Sequence, residues 1–86
     1  MIQHRRYWLM DIRRNKELSV QEVSLKSNIT KQYYSMIENG LRGQRISFLA
    51  GARVARSLGL TLDEFYDLEQ KYQSEVSFLK ETANES

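Results

Sequence analysis

The chain has 86 residues, enough for one hydrophobic core but not for two. It holds no Cys and a single His, which excludes a disulfide framework and a thiolate metal site, and no stretch is apolar for long enough to span a membrane. The formal charge of +2 is unevenly spread: residues 1–60 carry eleven Lys/Arg against four acids, and residues 61–86 carry two Lys against seven acids. A basic body therefore precedes an acidic end, which suits contact with a phosphate backbone by the first and avoidance of it by the second.

Pro is absent and Gly is confined to four positions, so an all-α fold is expected. Helix 1 is predicted over roughly Gln3 to Lys16, with Trp8, Leu9 and Ile12 as its apolar stripe and basic residues opposite. Ser19-Val20-Gln21-Glu22 is a capping box, and Leu18 and Val23 form a staple across it. Helix 2 ends near Ser27, and Asn28 is the candidate for a left-handed turn residue. Thr30 caps helix 3, which runs to Asn39 and stops at Gly40. After a loop to Ile46, Ser47 caps helix 4, with Phe48, Gly51, Val54, Ala55 and Leu58 inward and Gly59 at its end. A mid-helix Gly51 costs about 1 kcal/mol, so a close helix approach is expected there. Thr61-Leu62-Asp63-Glu64 is a second capping box, stapled by Leu60 and Phe65, so helix 5 starts at Leu62. Phe65, Leu68, Tyr72, Val76 and Leu79 share one helical face, which carries the helix onward until Thr82–Ser86 fray. The expected organisation is a compact five-helix domain over 1–68 with a C-terminal helical extension over 69–86.

The segment Leu18–Asn39 has the pattern of a helix-turn-helix, two short amphipathic helices joined by a turn at Ser27-Asn28-Ile29. Such pairs lay their second helix in the DNA major groove. At 100° per residue, Thr30, Tyr33, Tyr34 and Ile37 fall on the core side, while Lys31, Gln32, Ser35, Met36 and Asn39 fall on the other. Gln pairs bidentately with adenine and Lys reaches guanine O6/N7, so Lys31, Gln32, Ser35 and Met36 are the candidate base contacts, Met36 through a thymine methyl. Outside this motif Lys31 and Gln32 would be ordinary solvated residues. Ser19, Thr30, Tyr33, Asn39, Arg42 and Arg45 are the candidate phosphate contacts, from helix N-termini, the flank of helix 3 and the loop after it.

An enzyme is not expected. His4 stands alone near the terminus, no carboxylates cluster for a metal, and Gly40-Leu-Arg-Gly43 lacks the Gly-Lys-Ser/Thr ending of a phosphate loop. No cofactor is expected. MIQHRRYW lacks the apolar run of a signal peptide, so a cytoplasmic location is expected.

From Trp8 to Tyr66 the chain resembles the lambda-repressor-like (Cro/C1-type, xenobiotic-response-element) helix-turn-helix regulators. The carriers are Leu9, Ile12-Arg13, Leu18-Ser19, Val23-Ser24, Ile29-Thr30, Tyr33-Tyr34-Ser35, Ile37-Glu38-Asn39-Gly40, Val54-Ala55, Leu58-Gly59 and Leu62-Asp63-Glu64-Phe65. Trp8-Leu9, Tyr33-Tyr34-Ser35 and Ile37–Gly40 look like the subset found in phages and mobile elements of Gram-positive bacteria. The resemblance implies a five-helix bundle that binds a partly palindromic operator as a dimer, with bases read by Lys31, Gln32 and Met36. It also implies an ion pair between Arg13 and Glu38 that ties helix 1 to helix 3. Val20, Asn28, Gly51 and Leu25 depart from the family pattern, Val20 by removing a phosphate-contacting Gln from the start of helix 2.

The function expected is a sequence-specific double-stranded DNA-binding regulator, a repressor working as a homodimer. The alternative is an antitoxin or other interaction module whose C-terminal segment holds a partner protein. A core complete by Phe65 and Leu68 leaves Tyr72, Val76, Phe78 and Leu79 without intramolecular partners, so Tyr72, Val76 and Leu79 are candidate dimer contacts, with Leu49 and Leu60 as further ones. Packing of Tyr72, Val76 and Leu79 on their own domain or on a second copy would favour the regulator, and ordering of residues 69–86 only with another protein would favour the antitoxin.

Overall fold

The computed structural model describes residues 4–41 and 46–84, with side chains up to residue 78. Five helices follow in order: α1 (Tyr7–Asn15), α2 (Val20–Ser27), α3 (Lys31–Asn39), α4 (Phe48–Ser57) and α5 (Leu62–Asn84). No strand occurs among the described residues. No helix there is long and apolar enough to cross a membrane.

Most helix starts are built from local oxygens. The Ser19 hydroxyl accepts from the Glu22 amide, and the Glu22 carboxylate accepts from the Ser19 amide, both at 3.1 Å. Thr61 and Glu64 repeat this reciprocal cap at 2.9 and 3.1 Å, which holds the Glu64 carboxyl below its ordinary range. Thr30 accepts from the Tyr33 amide and Ser47 from the Ala50 amide. Asn28 takes the left-handed conformation between α2 and α3 (φ 56°, ψ 43°), and Gly40 ends α3 in the same region (φ 68°).

Helix α1 differs from the expectation. It starts at Tyr7 rather than near Gln3, without a side-chain cap. The reason is tertiary: the Arg6 amide donates to the Glu38 carbonyl at 2.8 Å, and the Arg6 side chain is buried elsewhere. His4–Arg6 therefore runs as non-helical chain toward the end of α3.

The core collects Leu9, Val23, Tyr34, Ile37, Val54, Ala55, Leu58 and Phe65, with all five helices represented. The Trp8 ring meets Phe65 edge-on at 5.2 Å. Helix α2 is joined to α4 by the buried Ser27 hydroxyl, which donates to Ser57 Oγ at 3.0 Å, and Ser57 in turn donates to the Val54 carbonyl. At Gly51 a Cβ would come within 2.6 Å of the Tyr66 hydroxyl and 3.3 Å of the Phe65 ring, so α4 and α5 do approach closely there.

Two expectations about faces are corrected. Phe48, placed inward from its sequence, is 69% exposed and lies flat on Tyr66, with ring centroids 5.8 Å apart. As the first residue of α4 it sits at the rim, where the Tyr66 hydroxyl donates to its carbonyl. On α5 the buried face is Phe65, Glu69, Tyr72 and Val76, with Leu68 only half-buried. The helix runs without a break past residue 68. Tyr72 and Val76, expected to lack partners within the subunit, are 3% and 4% exposed within the single chain, which overturns the argument that made them dimer contacts. The N-terminal segment supplies Tyr72's cover: its ring stacks on His4 at 5.4 Å and its hydroxyl donates to the His4 carbonyl at 2.6 Å. The side chain of Leu79 lies outside the described residues.

Candidate nucleic-acid interface

The turn at Asn28 sets α3 on the surface with one flank sunk in the core. Tyr34, Ile37 and Glu38 are buried, while Lys31 and Gln32 are exposed on the first turn. Tyr33 is exposed at the flank, as a phosphate contact requires. Ser35 and Met36 follow on the same side, half-buried. Asn39, also half-buried, donates its amide to the Ser35 hydroxyl at 3.2 Å, so these two polar side chains are engaged with each other. The hydroxyls of Ser19 and Thr30 accept from backbone amides as caps and retain a proton to donate. The first amides of α2 and α3 beside them have no partner within the helix and carry the positive end of its dipole. Arg42 and Arg45 lie outside the described residues.

Two arginines brace α3 from beneath. Arg13 of α1 forms a bidentate pair with Glu38 at 2.6 and 3.1 Å and donates a further bond to the Leu18 carbonyl at 2.8 Å. Its hydrogen bond to Glu38 raises the guanidinium's already high pKa, so this charge persists throughout the working range. Tyr34 lies beside the pair, and its buried hydroxyl has no partner at hydrogen-bonding geometry among the described residues. Burial first, and the adjacent Glu38 carboxylate as acceptor and then as charge, push that phenol well above its usual range.

The second brace, Arg6, is not anticipated by the sequence reading. It is 1% exposed, pairs bidentately with Glu69 at 2.8 and 2.7 Å, and donates to the Ile37 carbonyl at 2.6 Å. Its guanidinium carbon also stands 4.3 Å from the centre of the Tyr72 ring. One signal for it exists in the sequence. Glu69 is spaced four residues after Phe65 and three before Tyr72, so a carboxylate lies on the apolar stripe of α5 and calls for a buried cation opposite.

A helix-turn-helix family model matches residues 9–65, from Leu9 of α1 to Phe65 of α5. The chain belongs to this family, the lambda-repressor-like helix-turn-helix domains, a DNA-binding class of transcription regulators rather than an enzyme class. The matched span contains both motif helices and the core that supports them. No curated protein and no solved structure matches the chain significantly.

Proposed function

We propose that this chain is a transcriptional repressor that binds a partly palindromic operator as a two-fold dimer and acts in the cytoplasm by occupying promoter DNA. The observation that carries the reading is the adjacent exposure of Lys31 and Gln32 on the first turn of α3, above a last turn fixed by a buried ion pair. Gln32 reads adenine, Lys31 reads guanine and Met36 covers a thymine methyl. Ser35 is a lesser base contact because its hydroxyl holds Asn39. Ser19, Thr30, Tyr33, Arg42 and Arg45 grip phosphates and set the register of the reading helix.

One reading helix spans too few base pairs for high specificity, so two copies address half-sites roughly 10 base pairs apart. Since Tyr72 and Val76 are used inside the subunit, the dimer contact is placed at Leu49, Leu60 and the start of α5. Leu49 and Leu62 are 59% and 45% exposed, which supports that placement. The antitoxin reading loses its main support for the same reason, because Tyr72 and Val76 are already covered by their own chain.

Selection of duplexes from random DNA, followed by gel-shift titration at fixed salt, tests the reading. Gln32→Ala is expected to cost roughly 1–3 kcal/mol on the selected duplex and little on random DNA. Arg45→Ala is expected to weaken both alike and to flatten the salt dependence by about one unit. Equal losses on the two duplexes for Gln32→Ala would reject its base-reading role.

A further inference from the structure

The last turn of α3 contains no basic residue, although the carbonyls that end a helix favour a cation there. The cation comes from outside the helix. Arg6 donates from its side chain to the Ile37 carbonyl and from its backbone to the Glu38 carbonyl, at 2.6 and 2.8 Å. Next to them, Gly40 packs so tightly on the His4 carbonyl and the Tyr72 hydroxyl that a Cβ has no room. Arg6 is in turn fixed by Glu69, two turns into α5, through two charge-assisted bonds in a site closed to water. A contiguous chain of contacts thus runs from Glu69 and Tyr72, in the first half of α5, through the N-terminal segment to the end of the reading helix. None of its members lies on the polar face of α3.

We propose that Glu69, acting through Arg6, is a positioning residue for DNA recognition: it sets the seat of α3, and with it the register of Lys31 and Gln32, without touching DNA. This inference rests on the DNA-binding reading above. The alternative is that the pair contributes stability alone, and the experiment separates the two. Replacing a buried ion pair by apolar side chains of similar size leaves stability about equal or higher, whereas removing one partner strands a charge. The double variant Arg6→Met with Glu69→Leu therefore keeps the fold while deleting the bond to Ile37.

Two readouts apply to the full chain. The first is the affinity ratio between a duplex selected by the wild-type chain and a scrambled duplex of equal length. It is expected to fall about tenfold or more in the double variant, the size of one misplaced base contact, with denaturant stability kept. The second is amide hydrogen exchange at Gly40 and Leu41, whose amides bond back into α3 at Ile37 and Met36. Exchange there is expected to quicken about tenfold relative to the core amides of α4. Glu69→Gln, which keeps the side chain's shape and one acceptor, should move both readouts in the same direction. Val76→Ala, which destabilises without touching Arg6, should move neither. A double variant with wild-type discrimination and wild-type exchange overturns the proposal, as does a loss of discrimination in Val76→Ala equal to that in Glu69→Gln. If the wild-type chain itself prefers no duplex, the DNA-binding reading fails, and a role for Glu69 in recognition fails with it. A change in exchange would then mark a structural clamp only.

Discussion

Glu38 and Tyr34 show how much depends on single buried polar groups beneath α3. The Glu38 carboxylate is 4% exposed and spends both oxygens on Arg13. Glu38→Ala strands a guanidinium with little access to water and is expected to cost about 3–5 kcal/mol in urea unfolding. A change within about 0.5 kcal/mol would mark the pair as inconsequential. Tyr34 gives a pH dependence of definite sign. Its phenol is raised above the ordinary value in the folded chain, chiefly by burial, so the unfolded chain loses this proton first as pH rises. Stability from this group is complete below about pH 10 and declines above it. Tyr72 and Tyr66 are raised by burial too, and add in the same direction. Tyr34→Phe is expected to shallow the alkaline decline, measured by denaturant midpoints across that range. An unchanged slope would show that Tyr34 titrates normally.

At the scale of elements, two glycines at positive φ separate backbone strain from packing. Among the described residues, Gly59 (φ 74°) has only the Lys16 ammonium near its missing Cβ, at 3.5 Å. Gly40 (φ 68°) faces the His4 carbonyl and, at 2.7 Å, the Tyr72 hydroxyl. Gly59→Ala should therefore cost about 1–2 kcal/mol for the left-handed conformation alone. Gly40→Ala should cost clearly more, because the N-terminal segment has to lift off α3 and α5 to admit a methyl group. Thermal or denaturant unfolding of the two variants side by side checks the order, and equal losses would show that the segment yields easily. The same contact explains why α1 starts late: the chain before Tyr7 gives its hydrogen bonds to α3 instead of to a further helical turn.

For the whole molecule, α5 acts as a beam of 23 residues, about 34 Å long, in a body measuring 42 × 25 × 23 Å. Its first turns close the five-helix core through Phe65, and the next turns close the N-terminal segment through Glu69 and Tyr72. Burial of Val76 within the chain implies that its truncation acts on folding rather than on association. Val76→Ala is expected to lower stability by about 2 kcal/mol and to leave the oligomeric state unchanged in sedimentation equilibrium. Loss of a dimer at undiminished subunit stability would instead return Val76 to the subunit interface.

The features legible in the sequence are those whose cause lies within a few residues. Ser19 and Thr61 with their reciprocal Glu partners, Thr30, Ser47, the left-handed Asn28 and the stop at Gly40 are short-range hydrogen bonds or backbone preferences, so they mark the starts of four helices and the turn of the helix-turn-helix. The outward face of Lys31 and Gln32 follows from helical phase in the same way. Pairings between distant parts of the chain carry no such local mark. Arg6 meets Glu69 across 63 positions, the rotation of α5 puts Glu69 rather than Leu68 inward, and Phe48 leaves the core for the ring of Tyr66. Each was decided by which surfaces the packed helices brought together, because the cost of burying a charge or a ring depends on the partner it finds there.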